Sequence, residues 1–114
     1  MRGMISIEAF RGGSTAVLTG ADITVDPKVA RAWDVYPGGP GLAVLLPDAR
    51  RFQPGGPMLY ILNNGPDSLD IKDNSGNIIV SPALDAGQWA CVALVDNSTR
   101  NGLWGFQYKY FARS

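Results

Sequence analysis

The chain has 114 residues, which suits one domain with its own hydrophobic core. Hydrophobic residues make up 46% of it and charged residues 18%, a composition that excludes an intrinsically disordered chain. Ten Lys and Arg residues balance ten Asp and Glu residues, so the net charge offers no uniform field to attract nucleic acid or an anionic membrane.

Residues 1–13 are predicted to form an N-terminal extension ahead of a single domain, residues 14–114. Ile5 and Ile7 alternate with polar neighbours, and Phe10 follows, a pattern that favours a strand here. Two interpretations stay open. The segment is either an arm that adds a strand to the sheet edge of a neighbouring subunit, or a terminal strand of the domain's own sheet.

The next part of the chain is predicted to contain short elements. Residues 15–18 and 23–25 are candidate strands. Asp26 followed by Pro27 is typical of a helix start, so residues 26–33 are predicted to form either one or two helical turns or an irregular loop. Residues 34–37 are predicted to form an exposed loop.

Clearer strand patterns follow. Residues 42–46 are apolar and stop at a proline, whereas residues 58–63 and 88–95 are apolar on both faces, which indicates strands buried between layers. The last segment, residues 104–110, alternates aromatic residues with smaller or polar ones, so it is predicted to be a strand with an aromatic row on one face.

The strongest local prediction is a β-hairpin formed by residues 68–73 and 77–80. Leu69 and Ile71 alternate with polar residues, the period-2 pattern of a half-buried strand. The residues between the two strands end in Gly76, which suits the left-handed position of a three-residue hairpin loop.

Glycine (14 residues) and proline (8 residues) occur in clusters between these segments, as turns do in all-β proteins. The sequence therefore predicts an all-β fold: a single β-sandwich or small, jelly-roll-like β-barrel of about eight short strands.

The residue types available for catalysis argue against an enzyme. The chain has no histidine, which excludes the Ser-His-Asp and Cys-His arrangements and histidine metal sites. Cys91, the one cysteine, lies inside an apolar strand and is predicted to be a buried, unreactive thiol. Residues 73–77 resemble part of a calcium loop but are explained by the hairpin turn. We expect no catalytic residues, cofactor, metal, nucleic-acid partner or membrane contact.

From Leu42 onward the chain resembles a module of tailed-bacteriophage structural proteins. The motifs that carry the resemblance, in chain order, are Leu46-Pro47, the strand Tyr60 to Gly65, the strand and turn Leu69 to Asn77, the segment Leu84 to Gln88, and Gly102-Leu103-Trp104. The resemblance implies a β-sandwich or β-barrel domain in the virion.

The small size of the chain then favours a capsid decoration (cement) protein that binds the major capsid protein. The resemblance further implies homotrimers and a virion location. A module of a fibre, spike or tail is the alternative, and a carbohydrate-binding β module is a further one, since aromatic side chains on a strand face stack on sugar rings.

Interface candidates are chosen for the residue types enriched at protein–protein contacts, chiefly aromatic residues and arginine. They are Ile5, Ile7, Phe10, Trp33, Tyr36, Arg50, Arg51 and Phe52. The polar loop 96–102 is expected to face outward if its end of the domain points away from the capsid.

Overall fold

The computed structural model describes residues 14–18, 22–56 and 58–110, without the side chains of residues 14–18, 82 and 108–110. The described residues form strands with almost no helix, which confirms the all-β prediction. The strands are β1 (Ser14–Leu18), β2 (Ile23–Thr24), β3 (Ala32–Pro37), β4 (Ala43–Leu45), β5 (Leu59–Asn63), β6 (Leu69–Lys72), β7 (Ile78–Leu84), β8 (Gln88–Asp96) and β9 (Leu103–Tyr110). A 3₁₀ turn covers Ala49–Arg51. The predicted extension, residues 1–13, lies outside the described residues.

The strands form two mixed sheets, one of five strands in the order β1-β3-β5-β8-β9 and one of four in the order β2-β4-β6-β7. Both sheets of the described chain end in edge strands, so the barrel, one of the two predicted alternatives, is wrong. The first six strands alternate between the sheets. Because the chain crosses to the other sheet after each of the strands β1 to β5, the next strand in the same sheet runs in the same direction.

This alternation makes the pairings β1–β3, β3–β5, β2–β4 and β4–β6 parallel. Antiparallel pairing appears later, between β6 and β7, β5 and β8, and β8 and β9. A jelly roll is built from antiparallel strands, so the predicted jelly-roll-like arrangement is also wrong.

One hydrophobic core draws buried side chains from both sheets. In β6, Leu69 and Ile71 are buried while Asp70 and Lys72 are half-buried, as the alternating pattern predicts. In β5, Leu59 and Ile61 enter this core, and Leu62 is buried on the opposite face of the sheet. Each fully buried Leu or Ile contributes about 1.5–3 kcal/mol relative to an exposed one, so these strands carry much of the stability.

The predicted hairpin is present: β6 and β7 are antiparallel neighbours joined by the turn 73–77. Gly76 has a φ of 91°, the left-handed conformation that the loop requires. The register shifts within the hairpin, between the pairs Ile71–Val80 and Lys72–Ile78. The structure thus adds an irregularity that the alternating pattern does not reveal.

The structure gives different outcomes for two predictions near β3. Residues 26–30 form a single turn in which the backbone N–H groups of Val29 and Ala30 both donate to the carbonyl of Asp26, at 2.9 and 3.1 Å. The chain then enters β3 at Ala32, so no further helical turn follows. Residues 34–37, predicted as an exposed loop, belong to β3 because they pair with β1 and β5.

The aromatic row of β9 lies at a sheet edge, which changes its environment. Trp104 pairs with Leu94 and is buried, whereas Phe106 pairs with Val92 but is 42% exposed. Since β9 is the last of the described strands in its sheet, a side chain on it has a described neighbouring strand on one side only. Only part of the aromatic row on β9 therefore belongs to the hydrophobic core.

Candidate functional site

The alternating topology gathers four connections at one end of the molecule, which we call the loop end. These connections lead from β2 to β3, from β4 to β5, from β6 to β7 and from β8 to β9. The parallel strands β2, β4 and β6 all finish at this end, and β3 and β5 start there. Strand β8 is antiparallel to β5, so it also finishes there. The opposite end, which we call the far end, holds residues 38–42, 64–68 and 85–87.

The 3₁₀ turn presents an arginine that is held in place by a carboxylate. Asp48 caps the turn by accepting from the backbone N–H of Arg50 at 3.0 Å. The same carboxylate accepts from the Arg50 side chain, with Nε at 3.1 Å and Nη2 at 2.8 Å. These side-chain hydrogen bonds with Arg50 lower the pKa of Asp48 to about 2. Arg50 stays exposed but is fixed in orientation by this two-point contact.

Three hydrogen bonds join the β4–β5 connection to the end of β8 and the loop after it. The backbone N–H of Ala49 donates to the carbonyl of Arg100 at 2.8 Å, and that of Gly55 donates to Leu94 at 2.9 Å. The Asn97 amide donates to the carbonyl of Phe52 at 2.8 Å. Backbone groups of one connection are thus satisfied by the other, which holds the two together.

The hairpin turn 73–77 is tied into the same assembly. Arg100 Nη2 donates to the hydroxyl of Ser75 at 3.0 Å, and that hydroxyl donates to the side-chain oxygen of Asn101. The Asn74 amide reaches the carbonyl of Leu46 at 3.2 Å. Three connections therefore support one another.

Asp73 organises the hairpin turn from inside. Its buried carboxylate accepts from the backbone N–H groups of Ser75 and Asn77 at 2.9 and 3.0 Å, and from the Asn77 amide at 3.0 Å. Burial by itself raises the pKa of Asp73, but the hydrogen bonds from Asn77, Ser75 and Gly76 outweigh burial and leave the pKa lowered. The Asp73 carboxylate therefore stabilises the conformation of the turn.

Phe52 lies close to two cations. The Lys28 ammonium lies 6.0 Å from its ring centroid and the Arg51 guanidinium carbon 5.9 Å from it. The ring is half-buried and packs against the hydrophobic core. At these distances the cations are attracted to the ring face, so Lys28 and Arg51 are both drawn towards the ring.

The predicted interface residues divide into three groups. Arg50, Arg51 and Phe52 lie together at the loop end. Tyr36 is exposed near the opposite end of β3, and Trp33 is buried in the core, where its ring N–H donates to the carbonyl of Ala30 at 2.9 Å. The remaining candidates lie outside the described residues: Ile5, Ile7 and Phe10.

The structure adds residues that sequence reasoning did not select. Arg100 donates to Ser75, and its carbonyl accepts from Ala49 N–H in the 3₁₀ turn that carries Arg50, although these residues are far apart in the chain. The loop 96–102 lies at the same end as Arg51 and Phe52, so these segments do not face opposite sides of the molecule. No signal in the sequence pairs these loops, since their contact follows from the sheet topology.

Cys91 lies in β8, paired with Tyr60 of β5. The thiol is buried, and burial raises its pKa, with a hydrogen bond to Tyr60 acting in the opposite direction. Within the described residues no group of three or more Cys, Asp or Glu side chains is placed to hold a metal ion.

Over the same part of the chain, no helix has the length and apolar character needed to cross a bilayer. The sequence was also compared with protein-family models and with curated proteins, and the structure with solved structures. None of the three comparisons returned a match.

Proposed function

We propose that this protein is a non-catalytic structural protein of a tailed-bacteriophage virion, a decoration protein that binds the major capsid protein in the assembled lattice. The series of motifs from Leu42 onward supports the virion assignment. A role in binding is supported chiefly by one observation, the hydrogen-bonded bracing of three connections at the loop end.

The braced loop end suits a binding protein because its side chains are held before a partner arrives. Arg50 is fixed by Asp48, and Arg51 and Lys28 lie over Phe52. A preorganised surface loses less conformational entropy on association, so more of its contact energy becomes affinity. A protein that binds only the assembled lattice stabilises that lattice by mass action.

We further propose that the two open sheets face each other as the layers of a β-sandwich, with the loop end at one end of the layers. The shared core supports this arrangement, since Val92 and Ile61 of the five-stranded sheet and Val44 and Ile71 of the four-stranded sheet belong to one buried cluster. In the trimers proposed here, three such sandwiches would bind the capsid together.

The test is a count of copies per purified particle by quantitative mass spectrometry, combined with heat challenge of particles that lack the protein. Decoration predicts copies in proportion to capsid subunits and capsids that open at lower temperature without the protein. A handful of copies at one vertex or in the tail would instead support the fibre, spike or tail alternative. Complete absence from particles would refute both assignments.

A further inference from the structure

The balanced net charge hides a separation of charge between the two ends. Among the described residues, six basic ones lie at the loop end, in its connections or at the adjoining strand ends. They are Lys28, Arg31, Arg50, Arg51, Lys72 and Arg100. In the same described part of the chain, the far end carries four carboxylates, and Lys109 of β9 lies near it by register. The four are Asp22, Asp67, Asp70 and Asp85.

The carboxylates at the loop end are engaged by its own loops. Asp26 accepts from the backbone N–H of Lys28 at 2.9 Å, and Asp96 accepts from the backbone N–H and hydroxyl of Ser98 at 2.9 and 3.2 Å. Asp48 pairs with Arg50, and Asp73 is buried in its turn. Since Asp73 is nearly inaccessible to solvent, the basic side chains dominate the charge of the surface that a partner would contact at this end.

Exposed apolar side chains concentrate at the same end. Several large hydrophobic side chains of the described residues are 42–69% exposed to solvent. Five of them lie in the loop-end connections or at the strand ends beside these connections. They are Val29, Met58, Ile78, Val95 and Leu103. A combination of exposed apolar side chains with arginine and a phenylalanine is typical of protein–protein contacts. A phosphate backbone would gain nothing from the apolar side chains, so nucleic acid fits this surface less well.

We propose that the loop end is the face that docks on the partner protein, and that the partner surface presents carboxylates around an apolar patch. This inference deepens the proposed function, because the partner there is the capsid lattice. It also sets an orientation, with the acidic far end directed away from the capsid.

Binding to capsids that lack the protein tests this orientation. The variant Arg51→Glu/Arg100→Glu reverses two charges at the loop end and leaves the Asp48–Arg50 pair intact. Asp67→Lys/Asp85→Lys makes the matched change at the far end, and the variant with all four substitutions restores zero net charge. Thermal unfolding of each variant checks that it folds, and Arg51→Gln/Arg100→Gln replaces the first variant if it does not.

The loop-end variant and the fourfold variant should each bind at least about tenfold more weakly than wild type. The far-end variant should keep its affinity, and wild-type binding should weaken as salt rises. Unchanged binding by the loop-end variant, or an equal loss in the far-end variant, would overturn the inference.

A second measurement separates this inference from the proposed function. If wild type does not bind capsids, the decoration role fails, but the surface is still tested by elution from a carboxymethyl matrix at neutral pH. Wild type should need more salt for elution than the fourfold variant of the same net charge. Equal elution of these two proteins, or saturable binding of wild type to duplex DNA through Arg51 and Arg100, would refute a carboxylate-bearing protein partner.

Discussion

Gly102 lies against Ala49 so closely that a β-carbon on Gly102 would overlap the β-carbon of Ala49. This contact joins the loop after β8 to the 3₁₀ turn after β4. The hydrogen bond from Ala49 N–H to the Arg100 carbonyl, 2.8 Å long, runs beside it. The packing between these two loop-end segments therefore requires glycine at position 102.

Gly102→Ala should lower the free energy of unfolding by about 2–4 kcal/mol. Its φ of 72° costs about 1 kcal/mol for a residue with a side chain, and the overlap with Ala49 adds roughly 1–3 kcal/mol. Urea unfolding followed by tryptophan fluorescence measures the change. Gly41→Ala is the matched control, because Gly41 has a similar φ of 75° with open space around it. An equal loss in both variants would contradict the packing argument.

Asn63 should be critical for stability at the far end of the five-stranded sheet. It is fully buried, its amide donates to the carbonyls of Asp67 and Leu84 at 2.7 and 2.9 Å, and its oxygen accepts from Gly65 N–H at 3.0 Å. Asn63→Ala leaves those backbone groups without partners, which should cost about 2–4 kcal/mol in chemical unfolding.

The neighbouring residue supplies the control for that experiment. Asn64 has an exposed side chain, so Asn64→Ala should change stability by no more than about 0.5 kcal/mol. If the two variants unfold at the same urea concentration, the hydrogen bonds of Asn63 contribute no more than a surface side chain does.

Acid should weaken the protein through Asp48. Its pKa is about 2 in the folded chain against an ordinary value of 3.8, so the charged form is favoured by folding. The resulting stability is complete above the unfolded pKa and is lost as pH falls through the folded pKa. Urea midpoints measured from neutral pH down to about pH 2 should therefore decline below about pH 4.

Substitution of the partner arginine isolates this contribution. Arg50→Gln removes the charged donor to Asp48, so the decline in acid should become shallower. Arg51→Gln changes the adjacent arginine, which lies over Phe52, and should leave the acid dependence as in wild type. Identical pH profiles for the two variants would show that the Asp48–Arg50 pair does not couple to folding.

Cys91 should react slowly in the native protein. Burial limits access to the thiol and raises its pKa, so little of the reactive thiolate forms at mildly alkaline pH. Mass spectrometry after treatment with iodoacetamide should show slow alkylation of the folded chain and fast alkylation in urea, with free glutathione as the reference. Native alkylation as fast as that of glutathione would show that β8 opens readily.

Local patterns predicted much of the secondary structure. The alternation of Leu69 and Ile71 with polar residues, followed by Gly76, was enough to predict the hairpin, because both the strand faces and the turn conformation are set by nearby residues. The same reasoning was wrong for residues 34–37. They were predicted to form an exposed loop, but pairing with β1 and β5 makes them a strand.

The candidate site was predicted only in part. Arg51 and Phe52 stand together in the sequence and also at the loop end. Arg100 was missed as a member, because it reaches Ser75 through a contact between two separate loops. Trp33 was selected for its residue type, but its position on the inner face of β3 buries it.

The sequence by itself determined most of the strand segments, with β3 as the exception, and it determined the apolar faces of strands such as β6 and the position of the tight turn that follows β6. Only the tertiary structure decided that the early strands pair in parallel within two alternating sheets, and that most of the described basic residues collect at one end while the carboxylates are divided between both ends. The reason is physical. Alternation specifies the face that a strand buries, whereas its backbone hydrogen-bonding groups accept any neighbour. The choice of neighbour depends on how the whole chain fills one core.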